Sequence, residues 1–147
     1  MRFGSVAVED ALNCILAHSL NLSGTRFNKG LILNREHLSA FKKAAMDRVV
    51  VAQLEEGDIH ENEAATFLGT ALTSPNVAPQ RADAGRVNLT ATSDGVCKID
   101  RQLIIELNTI DEAITVATVT PNLSVKAGQL IATIKIIPFA TQMAALT

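Results

Sequence analysis

The stretch that most constrains the fold is Val125 to Phe139, which reads VKAGQLIATIKIIPF. Its second half is rich in β-branched residues, and these favour strands. Side chains alternate between the two faces of a strand, so Lys135 is expected to face away from Ile134 and Ile136. Pro138 has no backbone N–H and is expected to end the strand. The stretch therefore predicts a strand with one buried face in a β-rich region.

The composition is that of a chain with a packed core. Of its 147 residues, 48% are apolar and 19% are charged, and the net charge is −2. Lysines and arginines are scattered and Trp and Tyr are absent, so the sequence lacks the features of a nucleic-acid-binding surface. No apolar run approaches the roughly 18 residues of a membrane span, and the amino terminus does not read as a signal peptide. We therefore expect a soluble cytoplasmic protein that binds neither nucleic acid nor a membrane.

Residues 1–73 read as a small α/β half with two amphipathic helices. Asn34 is a plausible N-cap for the first helix, which should end near Met46–Asp47. Its apolar face is formed by Leu38, Phe41 and Ala45. Asp58 and Glu61 have the spacing of a capping box for the second helix. The apolar stripe of that helix is formed by Ala64, Ala65, Leu68, Ala71 and Leu72.

Residues 85–139 read as a β-rich half with one inserted helix. Asp94–Gly95 predicts a two-residue hairpin turn, because both positions of such a turn favour a positive φ. The strands joined by this turn are expected at 86–92 and 96–99. Asp100 can cap the helix that follows, whose apolar positions are Leu103, Ile104, Leu107 and Ile110.

The expected fold is α+β, with a small α/β half followed by a mainly antiparallel β half that forms a small barrel or sandwich. Between the halves, 74–84 contains two prolines and little periodicity, which predicts a linker. Residues 140–147 are expected to be a frayed tail or the start of a linker to further domains. A strand edge at 129–137 would make a homodimer plausible, since unpaired edges invite pairing.

Two pairs of residues are candidates for ligand contacts, each with an ordinary alternative. Lys29 and Gly30 end a turn that could hold an anion by charge and backbone N–H groups, or could be a solvated loop. Asp111 and Glu112 follow the third helix, where acids are unfavourable with the helix dipole. They could accept a magnesium ion or a hydroxyl group, or simply form a solvated turn.

No catalytic residue and no metal site is expected from the residue spacing. Three histidines lie in separate segments and form no HxxxH pair, so satisfied or surface side chains are the simpler interpretation. The histidines are His18, His37 and His60. The thiols of Cys14 and Cys97 read as small buried side chains of a reducing compartment rather than as a disulfide.

A lysine that carries biotin or lipoate would lie at an exposed hairpin tip, and two lysines are candidates for that role. Lys98 lies in Val-Cys-Lys-Ile and Lys126 in Val-Lys-Ala-Gly. Neither has the Met-Lys-Met or Asp-Lys-Ala surroundings of such carriers. The carrier hypothesis is therefore the weakest of the alternatives.

Three segments resemble one family. They read EDALNCILAHSLNLSGTRFNKGLILNREHLSAF, RVNLTATSDGVCKID and LNTIDEAITVATVTPNLSVKAGQLIATIKIIPFA. They are similar to the N-terminal region of bacterial molybdopterin-binding proteins of molybdenum cofactor biosynthesis. The most specific parts are IATIKIIPFA and the order of DALNCILAH before NKGLIL. Relatives tend to place Gly where this chain has Met46–Asp47, although Asp also tolerates the left-handed conformation of a helix exit.

The resemblance implies a module without catalysis of its own. In that family, a molybdopterin-binding domain and often a nucleotidyltransferase domain follow this region, so we expect the module to pack on or orient them. Molybdopterin, and a nucleotide with Mg²⁺, would then be ligands of the parent protein. If the module contacts pterin or phosphate, the first residues to test are Lys29, Gly30, Asp111, Glu112 and Lys135. The alternative is a stand-alone small-molecule-binding domain.

Overall fold

The fold is α+β. The computed structural model describes residues 1–146. These contain three α-helices and thirteen short strands, and the strands form several antiparallel sheets. The chain divides into two compact units, unit 1 from Met1 to Glu56 and unit 2 from Gly57 onward. The division lies earlier than the expected boundary after residue 73, because the second helix packs on the sheet of unit 2. Within residues 1–146, no helix is long and apolar enough to cross a membrane.

Unit 1 is built on a three-stranded antiparallel sheet in the order β1-β5-β2, flanked by a hairpin and one helix. Its strands are β1 (Arg2–Ala7), β2 (Ile15–Leu16), β3 (Leu20–Leu22), β4 (Thr25–Phe27) and β5 (Arg48–Gln53). The helix α1 (Arg35–Lys43) buries Leu38 and Phe41. The ring of Phe27 meets that of Phe41 edge to face at 5.0 Å between centroids, so two of the chain's five phenylalanines pack together in this core.

Both ends of α1 follow from local chemistry. The Asn34 side chain accepts a hydrogen bond from the His37 N–H at 2.9 Å, and His37 Nδ1 accepts one from the Asn34 N–H at 3.2 Å. This capping box confirms Asn34 as the N-cap. The helix ends at Lys43, earlier than expected, and the left-handed residue at its exit is Ala45 with φ 56° rather than Asp47.

Unit 2 is built on an open four-stranded antiparallel sheet in the order β10-β12-β8-β7. Its strands are β6 (Asp58–His60), β7 (Val77–Pro79), β8 (Arg86–Ala91), β9 (Gly95–Cys97), β10 (Ile114–Thr118), β11 (Leu123–Val125), β12 (Leu130–Ile136) and β13 (Ala140–Gln142). Its helices are α2 (Glu61–Ala71) and α3 (Arg101–Ile110). The side chains of Val87, Ile134 and Ile136 are fully buried between this sheet and its neighbours.

The central strand β12 confirms the alternation of the closing stretch. Ile134 and Ile136 are buried, whereas Lys135 between them is half-buried. The strand ends before Pro138, as expected. However, β12 pairs with β10 on one side and β8 on the other, so it does not offer the free edge on which the expectation of a homodimer was based.

Three expectations for unit 2 were wrong in their local detail. Asp58 does not cap α2, because Asp58–His60 is a strand paired with β13 and the cap is His60, whose Nδ1 accepts the Asn62 N–H at 3.2 Å. The expected linker at 74–84 contains β7, which pairs with β8. The expected tail contains β13 and a 3₁₀ turn, Met143–Ala145, and Thr147 lies outside the described residues.

The expected hairpin at Asp94–Gly95 was also wrong. Strand β9 pairs with β11, with Cys97 opposite Leu123, and not with β8. A two-residue hairpin does occur ten residues earlier, where Asp83 and Arg86 exchange backbone hydrogen bonds at 3.0 and 2.9 Å. Its central residues, Ala84 and Gly85, have φ of 45° and 70°. Since the four-stranded sheet is open, no closed barrel is formed by residues 57–146.

Candidate functional site

The first predicted pair, Lys29 and Gly30, lies in unit 1 in the loop after β4. The N–H of Lys29 donates to Ser19 Oγ at 2.9 Å. The N–H of Gly30 donates to the Leu16 carbonyl at 2.8 Å. Both backbone donors that an anion would use are therefore already hydrogen-bonded within the unit, and an anion site at these residues stays a prediction.

The second pair, Asp111 and Glu112, lies in unit 2 between α3 and β10. Asp111 Oδ1 accepts a hydrogen bond from the Ala113 N–H at 2.7 Å, which closes the turn into the strand. Glu112 is exposed beside it. The carboxylate of Asp111 thus has a structural partner, and its role toward a metal or a hydroxyl group stays a prediction.

Lys135, the remaining predicted residue, pairs with Glu61 and with the turn at Ala84 rather than with Asp111 or Glu112. Its Nζ lies 3.8 Å from Glu61 Oε2 and donates to the Ala84 carbonyl. The side chain of Glu61 is 10% exposed and that of Lys135 is 31% exposed. Taking these charges out of water is costly, and their mutual attraction offsets part of that cost.

The same turn is held from two further sides. The Gly85 N–H donates to Asn62 Oδ1 at 2.7 Å, and the Gly85 carbonyl accepts from the Ile136 N–H at 2.8 Å. We call Glu61, Asn62, Ala84, Gly85 and Lys135 the Glu61–Lys135 junction. It links the start of α2, the hairpin before β8 and the central strand β12.

Gly85 is required by the geometry of the junction. A Cβ at this position would lie 2.6 Å from Glu61 Oε2 and 2.8 Å from the Ile136 carbonyl oxygen, and φ is already 70°. Both the space and the backbone conformation therefore select glycine. The junction fixes a strained turn with buried charge, and this is a structural role. The sequence suggested Glu61 only as a capping residue, and its pairing with Lys135 carries no local signal.

A cleft is the second polar feature of unit 2. It consists of two adjoining depressions of about 320 and 240 Å³. Both are lined by Ser74, Val77, Cys97, Lys98 and Ile131, and we call them together the Cys97 cleft. Its walls come from the connection after α2, strands β7, β8, β9 and β12, and the start of α3.

The charged groups of the Cys97 cleft differ in how they are engaged. Asp94 is paired with Lys126 at 2.8 Å and accepts the Ala127 N–H at 3.0 Å. The hydrogen bond from Lys126 and then that from Ala127 lower the pKa of the Asp94 carboxyl. Asp100 accepts the N–H groups of Gln102 and Leu103 and caps α3 as expected. Within residues 1–146, the Lys98 side chain has neither an ion pair nor a hydrogen bond.

The helix beside the cleft is unusually exposed. No residue of α3 is buried, and Leu103, Ile105 and Ile110 are 47, 57 and 58% exposed. With 3.6 residues per turn, Leu103 and Ile110 lie on the same side of the helix and Ile105 lies on the opposite side. We call Leu103 and Ile110 the α3 face. The Asn108 amide holds the helix to β10, donating to the Val116 carbonyl at 2.9 Å and accepting the Val116 N–H at 2.8 Å. Ile104 and Leu107 pack against the core of unit 2.

Neither a metal site nor a known relative is found for the described residues. Within residues 1–146, no three His, Cys, Asp or Glu side chains are grouped so that they could hold a metal ion. Comparisons of the chain with protein families, with characterised proteins and with solved structures find no match. The functional argument therefore depends on the sequence resemblance and on the surfaces of unit 2.

Proposed function

We propose that the chain is a non-catalytic module of a bacterial molybdenum cofactor biosynthesis protein, which packs on and orients a molybdopterin-binding domain and a nucleotidyltransferase domain. The three segments that resemble the N-terminal region of those proteins support this proposal. The parent protein would act in the cytoplasm and would bind molybdopterin and a nucleotide with Mg²⁺ through its other domains.

The observation that carries the packing role is the α3 face. Exposed apolar side chains are normal when they are scattered singly, but a concentration of them indicates a surface for a partner. Here the helix places Ile104 and Leu107 against unit 2 and leaves Leu103, Ile105 and Ile110 in solvent. A helix that is apolar on more than one side is typical of one covered on both sides. The partner expected here is a neighbouring domain of the parent protein.

The experiment measures association of this chain with the separately produced molybdopterin-binding domain by calorimetry. Ile110→Glu places a charge in the α3 face beside Leu103 and should weaken association by at least about tenfold, as for a central interface residue. Thr66→Glu on the exposed side of α2 is the control and should leave the affinity unchanged. Equal affinities for the two variants would contradict the docking role. A stop codon at position 148 of the gene would contradict the proposed domain order.

A stand-alone small-molecule-binding domain is the second candidate, and the Cys97 cleft favours it. Titration of the chain with molybdopterin or a nucleotide would produce heat of binding in that case. The docking proposal instead predicts no heat from this chain and binding by the full parent protein.

The carrier function is a third candidate with less support. Lys126 is exposed in the connection between β11 and β12, but it is held in an ion pair with Asp94. Mass spectrometry of the protein produced together with a biotin or lipoate ligase tests this function. An unmodified mass at Lys98 and Lys126 excludes it.

A further inference from the structure

We propose that the Cys97 cleft binds a small, mostly apolar molecule that carries one anionic group, with Lys98 pairing the anion. The proposal goes beyond the docking role. Leu103 of the α3 face also lines one of the depressions, but Ile110, the residue changed in the docking test, lines neither. The two tests therefore change different residues.

The apolar part of the argument comes from the walls of the cleft. Side chains that belong to the hydrophobic core of unit 2 also line the depressions, so an apolar ligand would contact the core itself. They are Leu89, Ala91, Val116, Val125 and Ile131. Ligand sites are typically concave and mainly apolar, with a few polar groups that fix the orientation of the ligand. Depressions of about 320 and 240 Å³ match a ligand of modest size.

The charged side chains that line the cleft are Asp94, Lys98 and Asp100. The carboxylates that line the cleft are engaged, Asp94 by Lys126 and Ala127 and Asp100 by the first turn of α3. Lys98 lines both depressions and has no partner within the described chain. An anionic group would therefore gain a charge-assisted hydrogen bond without breaking an existing pair. Hydroxyl groups of Ser74 and Ser93 lie in the same walls and could orient the ligand.

Cys97 provides a built-in reporter of occupancy. Both cysteines are free, but Cys14 is buried in unit 1, whereas Cys97 is half-buried in the wall of the cleft. Alkylation by neutral iodoacetamide should therefore occur at Cys97 in the folded protein. A ligand in the cleft should slow that reaction because it covers the thiol.

The experiment uses two aromatic probes of similar shape. Anilinonaphthalene sulfonate is an apolar anion, and N-phenyl-1-naphthylamine is its uncharged counterpart. We expect both probes to bind the folded chain and to slow alkylation of Cys97, with tighter binding of the sulfonate. Lys98→Met should weaken binding of the sulfonate roughly threefold to tenfold, as for a partly exposed charged hydrogen bond, and should leave the neutral probe unchanged. The matched control is Lys43→Met, an exposed lysine of α1 in unit 1.

A variant that fills the cleft completes the test. Val77→Phe should reduce binding of both probes, with circular dichroism and thermal unfolding used to verify that the protein is folded. If this variant does not fold, the alkylation rates of the unmodified chain still decide the question. The proposal is overturned if probes bind without protecting Cys97, if neither probe binds, or if Lys98→Met and Lys43→Met behave alike toward the sulfonate.

Discussion

Two lysine–carboxylate pairs hold turns in unit 2, and they differ in burial. Glu61 and Lys135 lie 3.8 Å apart with side chains 10 and 31% exposed. Asp94 and Lys126 lie closer, at 2.8 Å, but are 60 and 81% exposed. Attraction between charges is strong where water is excluded and weak where water screens it. The longer pair should therefore matter more to stability than the shorter one.

The largest loss of stability is expected from a substitution at Gly85, where the Glu61 side chain lies against the backbone of the turn. Gly85→Ala would force a side chain into a left-handed residue and against Glu61 and the Ile136 carbonyl. We expect a loss of about 2–4 kcal/mol in the free energy of unfolding, from strain and overpacking together. Chemical denaturation measures this loss. Gly95→Ala is the control, because no atom lies within 4 Å of its added Cβ, and a comparable loss in both variants would refute the account of the junction.

The next largest losses of stability are expected from substitutions of Lys135 and Glu61, and the two losses should differ. Lys135→Met leaves the more deeply buried carboxylate of Glu61 without its partner and should cost about 2–3 kcal/mol. Glu61→Gln leaves the more exposed Lys135 and should cost less. The double variant should be more stable than the sum of the single losses implies, by about 1–2 kcal/mol. Strict additivity in a double-mutant cycle would show that the two charges do not interact.

The smallest effect is expected at the exposed pair. The same cycle with Asp94→Asn and Lys126→Met should show no coupling beyond the scatter of the measurement, because both side chains are screened by water. A coupling as large as that of the buried pair would reverse the comparison.

The exposed pair of Asp94 and Lys126 should still affect how the stability of the fold depends on pH. Lys126 and the Ala127 N–H lower the folded-state pKa of Asp94 below its unfolded value, so the carboxylate contributes stability above about pH 4. That contribution is lost as the pH falls through the lowered pKa. Nuclear magnetic resonance titration should show a lowered pKa for Asp94 that returns toward its usual value in Lys126→Met. An unchanged pKa in that variant would remove Lys126 as the cause.

Features that depend on residues close together in the chain could be predicted from the sequence, and features that depend on distant residues could not. Caps and alternation depend on neighbours in the chain, and both Asn34 and Asp100 were recognised as caps. The strand at 130–136 was recognised from its alternation. The choice of β11 rather than β8 as the partner of β9 depends on distant residues, so Asp94–Gly95 was misleading.

The site residues were harder to predict for the same physical reason. Ala84 has no turn signal, and the groups that hold its turn, the Asn62 side chain and the Lys135 ammonium, are remote in sequence. Lys135 was identified as a polar residue on a strand, but nothing near it in sequence indicates Glu61 as its partner. The Cys97 cleft likewise exists only after several strands have assembled.

Hydrogen exchange of α3 tests the docking role most directly. The amides of residues 101–110 should exchange readily in this chain alone, since no residue of the helix is buried. Addition of the molybdopterin-binding domain should slow their exchange by about tenfold or more and leave the Glu61–Lys135 junction unchanged. Binding of that domain with unchanged exchange across α3 would contradict the account.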